Sequence, residues 1–248
     1  NVGSLKNTEF SNDELAAISL KNHPEKTERQ TQIKQLTDLG MNGELEFSQS
    51  LEQRLQLLNA HRDHLQQLIP GLRQNLSLSF IRNIDFFRAR AESILIISGG
   101  FREFICPIIA ELGLKPENVY ANSFKYNSAG YITGFDKTNP LGQKEGKVML
   151  LKRLNLDGDV YVIGDGYTDY QIKAAGLANK FFAFTENIHR QGVALAADHV
   201  TPSFDEFLYL NRLPMVISYP KNRINVLAAG NIPETAGHIF QQEGYNVN

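Results

Sequence analysis

Apolar positions change their spacing once along this chain, near residue 75. Before that point they follow a helical period. Phe47, Leu51, Leu55 and Leu58 fall three or four residues apart and line one helix face. Asp13-Glu14-Leu15-Ala16-Ala17-Ile18 opens an earlier helix, with its acidic residues at the positive end of the dipole. Pro70-Gly71 is expected to end the pattern. Residues 13–75 therefore read as a helical unit. Beyond them come short, unbroken apolar runs: Ser93-Ile94-Leu95-Ile96-Ile97, Val160-Tyr161-Val162-Ile163 and Phe181-Phe182-Ala183-Phe184. Such runs suit strands buried on both faces of a parallel sheet. Helical stretches lie between them at Phe104 to Leu112, Gly146 to Leu154 and Asp169 to Ala175. Strands alternating with helices predict a doubly wound α/β core over residues 76–215. Phe124-Lys125-Tyr126 and Tyr131-Ile132-Thr133, joined by Asn127-Ser128-Ala129-Gly130, read as a β-hairpin. Residues 219–248 start afresh, with a strand near Ile224 to Ala229 and a helix from Pro233 to Glu243.

Composition narrows the partners more than the fold. The 248 residues are 42% hydrophobic and 21% charged, ordinary globular material. A net charge of -2 offers no field for nucleic acid or an anionic membrane. No apolar run approaches the roughly 20 residues a membrane-spanning helix needs, and the first residues lack the basic start and apolar block of a signal peptide. A single cysteine, Cys106, excludes an internal disulfide framework and fits a reducing compartment. A cytoplasmic location is expected. The chain starts at Asn1 and stops where another strand begins, so it is read as a piece of something longer.

Two of the apolar runs end in glycine-bearing polar loops. Ile97 leads into Ser98-Gly99-Gly100-Phe101, and Ile163 into Gly164-Asp165-Gly166-Tyr167-Thr168-Asp169. In open α/β sheets ligands bind at the carboxyl ends of strands, and glycines let backbone amides approach an anion. Ser98 and the amide of Gly99 suit phosphate oxygens. Asp165 and Asp169 put two hard oxygen ligands near one place, which suits Mg²⁺. Each loop taken alone also reads as a turn with a capped helix. Lys147 and Lys144 lie between the loops, where either a phosphate-neutralising or a solvated role fits. Arg54 shares the apolar face of Phe47, Leu51 and Leu58, and a guanidinium there needs a partner: a ligand carboxylate, an internal salt bridge, or solvent reached by snorkelling. The six histidines show no metal spacing. Cys106 reads as core filling.

These residues resemble a known family. Met41-Asn42-Gly43-Glu44-Leu45-Glu46-Phe47-Ser48-Gln49-Ser50-Leu51-Glu52-Gln53-Arg54 resembles the helical-cap signature of phosphoserine phosphatases of the haloacid-dehalogenase superfamily. Ser98-Gly99-Gly100-Phe101, Gly146-Lys147 and Gly164 to Asp169 resemble their second, third and fourth motifs, in order. The resemblance spans about residues 13 to 210. It implies a Rossmann-like parallel core with a helical cap and a Mg²⁺-dependent hydrolysis of O-phosphoserine in serine biosynthesis. By the same resemblance Asp165 binds Mg²⁺ with Asp169 supporting or completing the site. Ser98, Lys147 and the Gly99 amide hold the phosphate. Met41, Phe47 and Arg54 line the cap side, Arg54 on the substrate carboxylate, and Thr168 lies near the phosphate or the attacking water.

One departure stands out. The family carries its nucleophile and its general acid in an Asp-x-Asp motif on the first core strand. Counting back from Asp13, those positions fall on Asn1 and Gly3. Residues 1–12 thus read as an aberrant start, with the first core strand missing and turnover impaired. A pseudo-phosphatase that senses phosphoserine or serine, and a related phosphotransferase, are the alternatives. The tail, Arg223-Ile224-Asn225-Val226-Leu227-Ala228-Ala229 with Pro233-Glu234-Thr235-Ala236 and Gln242-Glu243-Gly244-Tyr245, resembles the start of 3-phosphoglycerate dehydrogenase and implies a fusion to such a domain.

Overall fold

Helical spacing at the start of the chain becomes four packed helices. The computed structural model describes residues 8–41, 44–227 and 233–247. The helices are Thr8–Ser19 (α1), Lys26–Met41 (α2), Phe47–Leu58 (α3) and Arg62–Gln74 (α4). Leu15, Leu20, Ile33, Leu51, Leu55, Leu58, Leu65, Leu68 and Leu72 close their shared interior. Each fully buried leucine contributes about 1.5–3 kcal/mol of transfer free energy. Asn59, in the left-handed region (φ 45), ends α3. His61 then caps α4: its Nδ1 accepts from the Asp63 amide at 3.2 Å, and His64 Nδ1 accepts from the His61 amide at 3.0 Å.

Two boundaries differ from those expected. The first helix begins at Thr8, not Asp13. The fourth runs through Pro70-Gly71 instead of ending there. Pro70 removes one ladder bond, but it sits on the exposed face while Leu65, Leu68 and Leu72 anchor the opposite one. A carbonyl freed toward water costs less than stripping that leucine face.

The core follows: Leu78–Arg82 (α5), Ile84–Ala89 (α6), Ile96–Phe101 (β1), Arg102–Ile109 (α7), Val119–Asn122 (β2), Phe124–Tyr126 (β3) and Ile132–Phe135 (β4). After these come Gly146–Leu154 (α8), Tyr161–Gly164 (β5), Tyr167–Ala174 (α9), Lys180–Phe184 (β6), Gln191–Ala196 (α10), His199–Thr201 (β7) and Phe204–Leu210 (α11). Among the described residues β1 pairs in parallel with β2, and β5, β6 and β7 form a second parallel ladder in that order. β3 and β4 are the expected antiparallel hairpin. The α/β class and the parallel strands are as the alternation predicted. β6 is buried on both faces; β5 is not, with Tyr161 exposed, because it borders its ladder among the described strands. β1 also outruns its expected end at Ile97. It continues to Phe101 through an irregularity, since Ile97 pairs with Tyr120 but Phe101 with Asn122. Ser98, Gly99 and Gly100 bulge between those pairs, which two glycines permit.

The tail is a β-α-β unit: Asn225–Val226 (β8) and Asn246–Val247 (β9) pair in parallel on either side of Glu234–Gln242 (α12). One buried carboxylate ties it down. Glu206 on α11 accepts two bonds from Arg223 Nε, at 2.8 and 3.0 Å, and another from Asn222 at 3.0 Å. The Arg223 guanidinium also lies 4.7 Å from the Tyr209 ring centroid. No described helix is long and apolar enough to cross a membrane.

Burial works against ionising Glu206, but its bonds to Arg223 and Asn222 outweigh that and hold its carboxyl below the usual glutamate range. A carboxyl depressed by folding stabilises above its unfolded value, about 4.3, and loses that contribution as the pH falls through its folded one. Glu206→Gln is therefore expected to cost about 1 kcal/mol at pH 7, a figure discounted for the partly exposed Arg223. In urea melts the gap from the unsubstituted chain should close as the pH drops below about 4.

Candidate active site

Ser98, Gly99 and Gly100 form a hooked bulge at the end of β1. Ser98 is buried, and its Oγ accepts the Gly100 amide at 3.0 Å. The carbonyl of that same peptide, Gly99 O, accepts from Asn122 Nδ2 at 2.9 Å. A second loop leaves β5 at Gly164. Here glycine is obligatory for space: a Cβ on Gly164 would overlap the carboxyl group of Asp169. Asp169, three residues into the next turn, reaches back so that Oδ2 accepts the Gly166 amide at 3.1 Å. Its Oδ1 accepts from Lys147 Nζ at 2.6 Å.

That pair is enclosed, with Asp169 2% and Lys147 8% exposed. Burial alone would push the Asp169 carboxyl up; the Lys147 ammonium and the Gly166 amide reverse this and hold it below the usual carboxylate range. Lys147 is placed by its neighbour. Gly146 packs so closely on the Pro140 carbonyl that a Cβ there would overlap it, which seats the start of α8 against the turn Pro140–Gly142. The Leu141 carbonyl of that turn in turn lies against Gly99. Gly99 and the start of α8, which carries Lys147, are thus both seated against the turn Pro140–Gly142. Of the two lysines left open, Lys147 is the one that pairs with Asp169. Lys144 is exposed on the turn before α8.

Asp165 sits at the rim, its side chain 12% exposed, in an ion pair with Arg190. Arg190 Nη1 also lies 3.4 Å from the Asp165 carbonyl. Thr168 is exposed on the first turn of α9. On the helical side, Phe47 heads α3 and its ring edge comes within 3.5 Å of where a Cβ on Gly99 would stand. Lys137 after the hairpin pairs with Glu52 on α3 at 2.7 Å. Arg54 is buried, as its apolar neighbours imply, and bonds the Ser50 carbonyl and Thr37 Oγ1 at 3.2 Å each. Met41 closes α2, and its side chain lies outside the described residues, as do Asn1 and Gly3.

The arrangement provides a serine hydroxyl and glycine backbone for an anion, a buried cation to offset its charge, and a rim carboxylate. A hard divalent cation takes oxygen ligands and keeps several waters. Asp165 offers one carboxylate, which a cation would share with Arg190. Asp169 has both oxygens engaged by Lys147 and Gly166, so it braces the loop. Among the described residues no group of three or more His, Cys, Asp or Glu side chains is placed to hold a metal. The donor set fits a cation held by one protein carboxylate together with phosphate and water.

Two residues of this site escaped the sequence reading. Arg190 lies in the segment that follows the carboxyl end of β6, the kind of place where open α/β sheets bind ligands. Asn122 ends β2 and carried no motif at all.

Comparisons with known proteins bear on the family of the chain. A family model described as haloacid dehalogenase-like hydrolase matches residues 14–172. A phosphoserine phosphatase of Rattus norvegicus is 33% identical over 187 residues, covering 71% of this chain and 79% of its own. The phosphoserine phosphatase of Homo sapiens is 32% identical over 187 residues with the same coverage. Among solved structures, a phosphoserine phosphohydrolase-like protein of Francisella tularensis superposes with a TM-score of 0.67 at 29% identity, covering 81% of this chain and 92% of that one.

Gly164→Ala is expected to destabilise the chain by about 1–3 kcal/mol, because the added methyl must displace the Asp169 carboxylate. Gly192→Ala, a helical glycine with open space around it, should be neutral or gain up to about 1 kcal/mol. Paired thermal melts of the two variants check the contrast.

Proposed function

The chain belongs to the haloacid dehalogenase-like hydrolase family and is a phosphatase-type hydrolase, and from that premise we propose that its site takes O-phospho-L-serine, with Mg²⁺ held at Asp165. The observation that carries the reading is the buried Lys147–Asp169 pair at 2.6 Å, its lysine on a helix seated by the same turn that packs on Gly99. Relatives about a third identical and named phosphoserine phosphatase support the substrate. In this reading the Ser98 hydroxyl donates to a phosphate oxygen, and Lys147 offsets the phosphate charge as a point cation. Asp169 holds the Lys147 ammonium in place. Phe47 closes over Gly99 from the helical unit, residues 13–75, and excludes water. Arg54 supplies the partner for the substrate carboxylate, with Met41 beside it. Thr168 stands at the mouth. When bound, Mg²⁺ supplies Lewis-acid polarisation of the phosphoryl group.

The reading includes an impairment. Asn1 and Gly3, where the family motif sets its two aspartates, carry no carboxylate. Losing a covalent nucleophile costs several orders of magnitude in other enzymes. Those two residues also favour the second reading, a module that binds phosphoserine without turning it over; the nucleotide sequence upstream of Asn1 separates the two. We further read residues 219–248 as opening a second unit, fused in the parent to a 3-phosphoglycerate dehydrogenase domain. The exposed Leu227, Ile239 and Phe240 of the β-α-β unit support that.

The substrate is tested by thermal shift with Mg²⁺ present. O-phosphoserine is expected to raise the melting temperature, whereas O-phosphoethanolamine, which lacks the carboxylate, should raise it less. Equal shifts sink the substrate assignment. Phosphate release should stay within about twofold of that of Asp165→Ala; release well above it overturns the impairment.

A further inference from the structure

The end of β2 carries a side chain that no motif accounts for. Asn122 is fully buried. Its Nδ2 donates to two backbone carbonyls, Gly99 O at 2.9 Å and Leu141 O at 3.3 Å. Two acceptors on one side dictate which end of the carboxamide is nitrogen, because the reversed amide would set oxygen against oxygen. The cost falls on the other end. Asn122 Oδ1 is buried with no hydrogen-bond partner, packed toward Gly142. An orphaned acceptor in a native core calls for an explanation.

What the amide holds supplies one. Gly99 O and Gly100 N–H belong to the same peptide unit. Asn122 binds its carbonyl, and Ser98 Oγ accepts its amide at 3.0 Å. That peptide is gripped at both ends. With a lone pair of the Ser98 oxygen taken by Gly100, the hydroxyl proton is left to donate elsewhere. The same carboxamide also holds Leu141 O, which packs on Gly99 and belongs to the turn that seats α8 and Lys147. One side chain therefore links the bulge that carries the hydroxyl to the turn that places the cation.

We propose that Asn122 is the positioning residue of the anion loop: its carboxamide sets the Gly99–Gly100 peptide and, through it, the direction in which Ser98 donates. This rests on reading that loop as the phosphate site. Asn122 touches no substrate in the proposal and acts through Ser98.

The test uses the full 248-residue chain in two readouts. Amide exchange followed by NMR examines the mechanical link. In Asn122→Ala the Gly100 amide should exchange about tenfold faster or more, since the peptide that carries it is no longer held at its Gly99 carbonyl, while the amide of Phe182 in the β6 core keeps its protection. Asn122→Asp, nearly the same size, guards against a packing artefact and should behave alike. An unchanged Gly100 rate, or equal acceleration at Gly100 and Phe182, overturns the proposal. The second readout is a double-mutant cycle on affinity for inorganic phosphate with Mg²⁺ present. Asn122→Ala is expected to weaken binding about tenfold beside Ser98 but less than about twofold in a Ser98→Ala background, because the two act as one unit. Equal losses in both backgrounds mean a generally structural role and overturn it. If Ser98→Ala binds phosphate as well as the unsubstituted chain, the phosphate-site reading falls, and the Gly100 exchange rate alone decides whether Asn122 holds the loop.

Discussion

A buried ammonium facing a buried carboxylate organises this protein. Lys147 and Asp169 come from different helices, α8 and α9, and meet at 2.6 Å with almost no exposure. Neither charge tolerates that depth alone. Removing one partner from such a pair typically costs about 3–5 kcal/mol, because the survivor remains desolvated. The surrounding backbone is shaped to permit the meeting. Gly164 leaves room for the Asp169 carboxyl, and Gly146 lets α8 press against the Pro140 carbonyl. The Gly166 amide takes the remaining Asp169 oxygen. Small residues here are a consequence of where the charges must sit.

The same logic of compensation runs outward. Asp165, one step nearer solvent, pairs with Arg190 from the loop after β6. Each carboxylate at the carboxyl end of β5 thus has its own cation. Ser98 belongs to the other parallel pair, whose bulge Asn122 ties to the Leu141 turn. The helical unit meets the core at several places, two of them near the bulge and the hairpin. Phe47 packs over Gly99, and the segment before α4 joins the hairpin, where His61 Nε2 donates to the Ala129 carbonyl at 2.8 Å and the Arg62 amide donates to Gly130 O at 3.0 Å. Gly130, at φ 88 and against the His61 ring, is a turn position that a side chain would not fit.

Some of this was legible residue by residue. Unbroken apolar runs marked β5 and β6; the reason holds for β6, covered on both sides with no polar face to show, whereas β5 borders its ladder among the described strands and exposes Tyr161. The run Gly146 to Leu154 gave the bounds of α8. Polar glycine loops after such strands pointed to Ser98, Asp165 and Asp169. Other features left no local trace. Pro70 reads as a stop, yet the buried leucines on the far side of α4 carry the helix through it. The bulge in β1 needs a partner strand to be defined. Arg190 lies 25 positions beyond Asp165 in the numbering, and only the crossover between β5 and β6 makes them neighbours.

Taken by itself, the order of residues determined the class of the fold and marked Ser98, Asp165, Asp169 and one of Lys144 and Lys147 as candidates at or between strand ends. These depend on periodicity and on local chain chemistry, which a linear string records. Tertiary structure decided which lysine is buried against Asp169, which arginine answers Asp165, and why Asn122 sits without a partner for its oxygen. Those outcomes turn on desolvation and on contacts between residues far apart along the chain, and both exist only once the helices and strands have closed on one another.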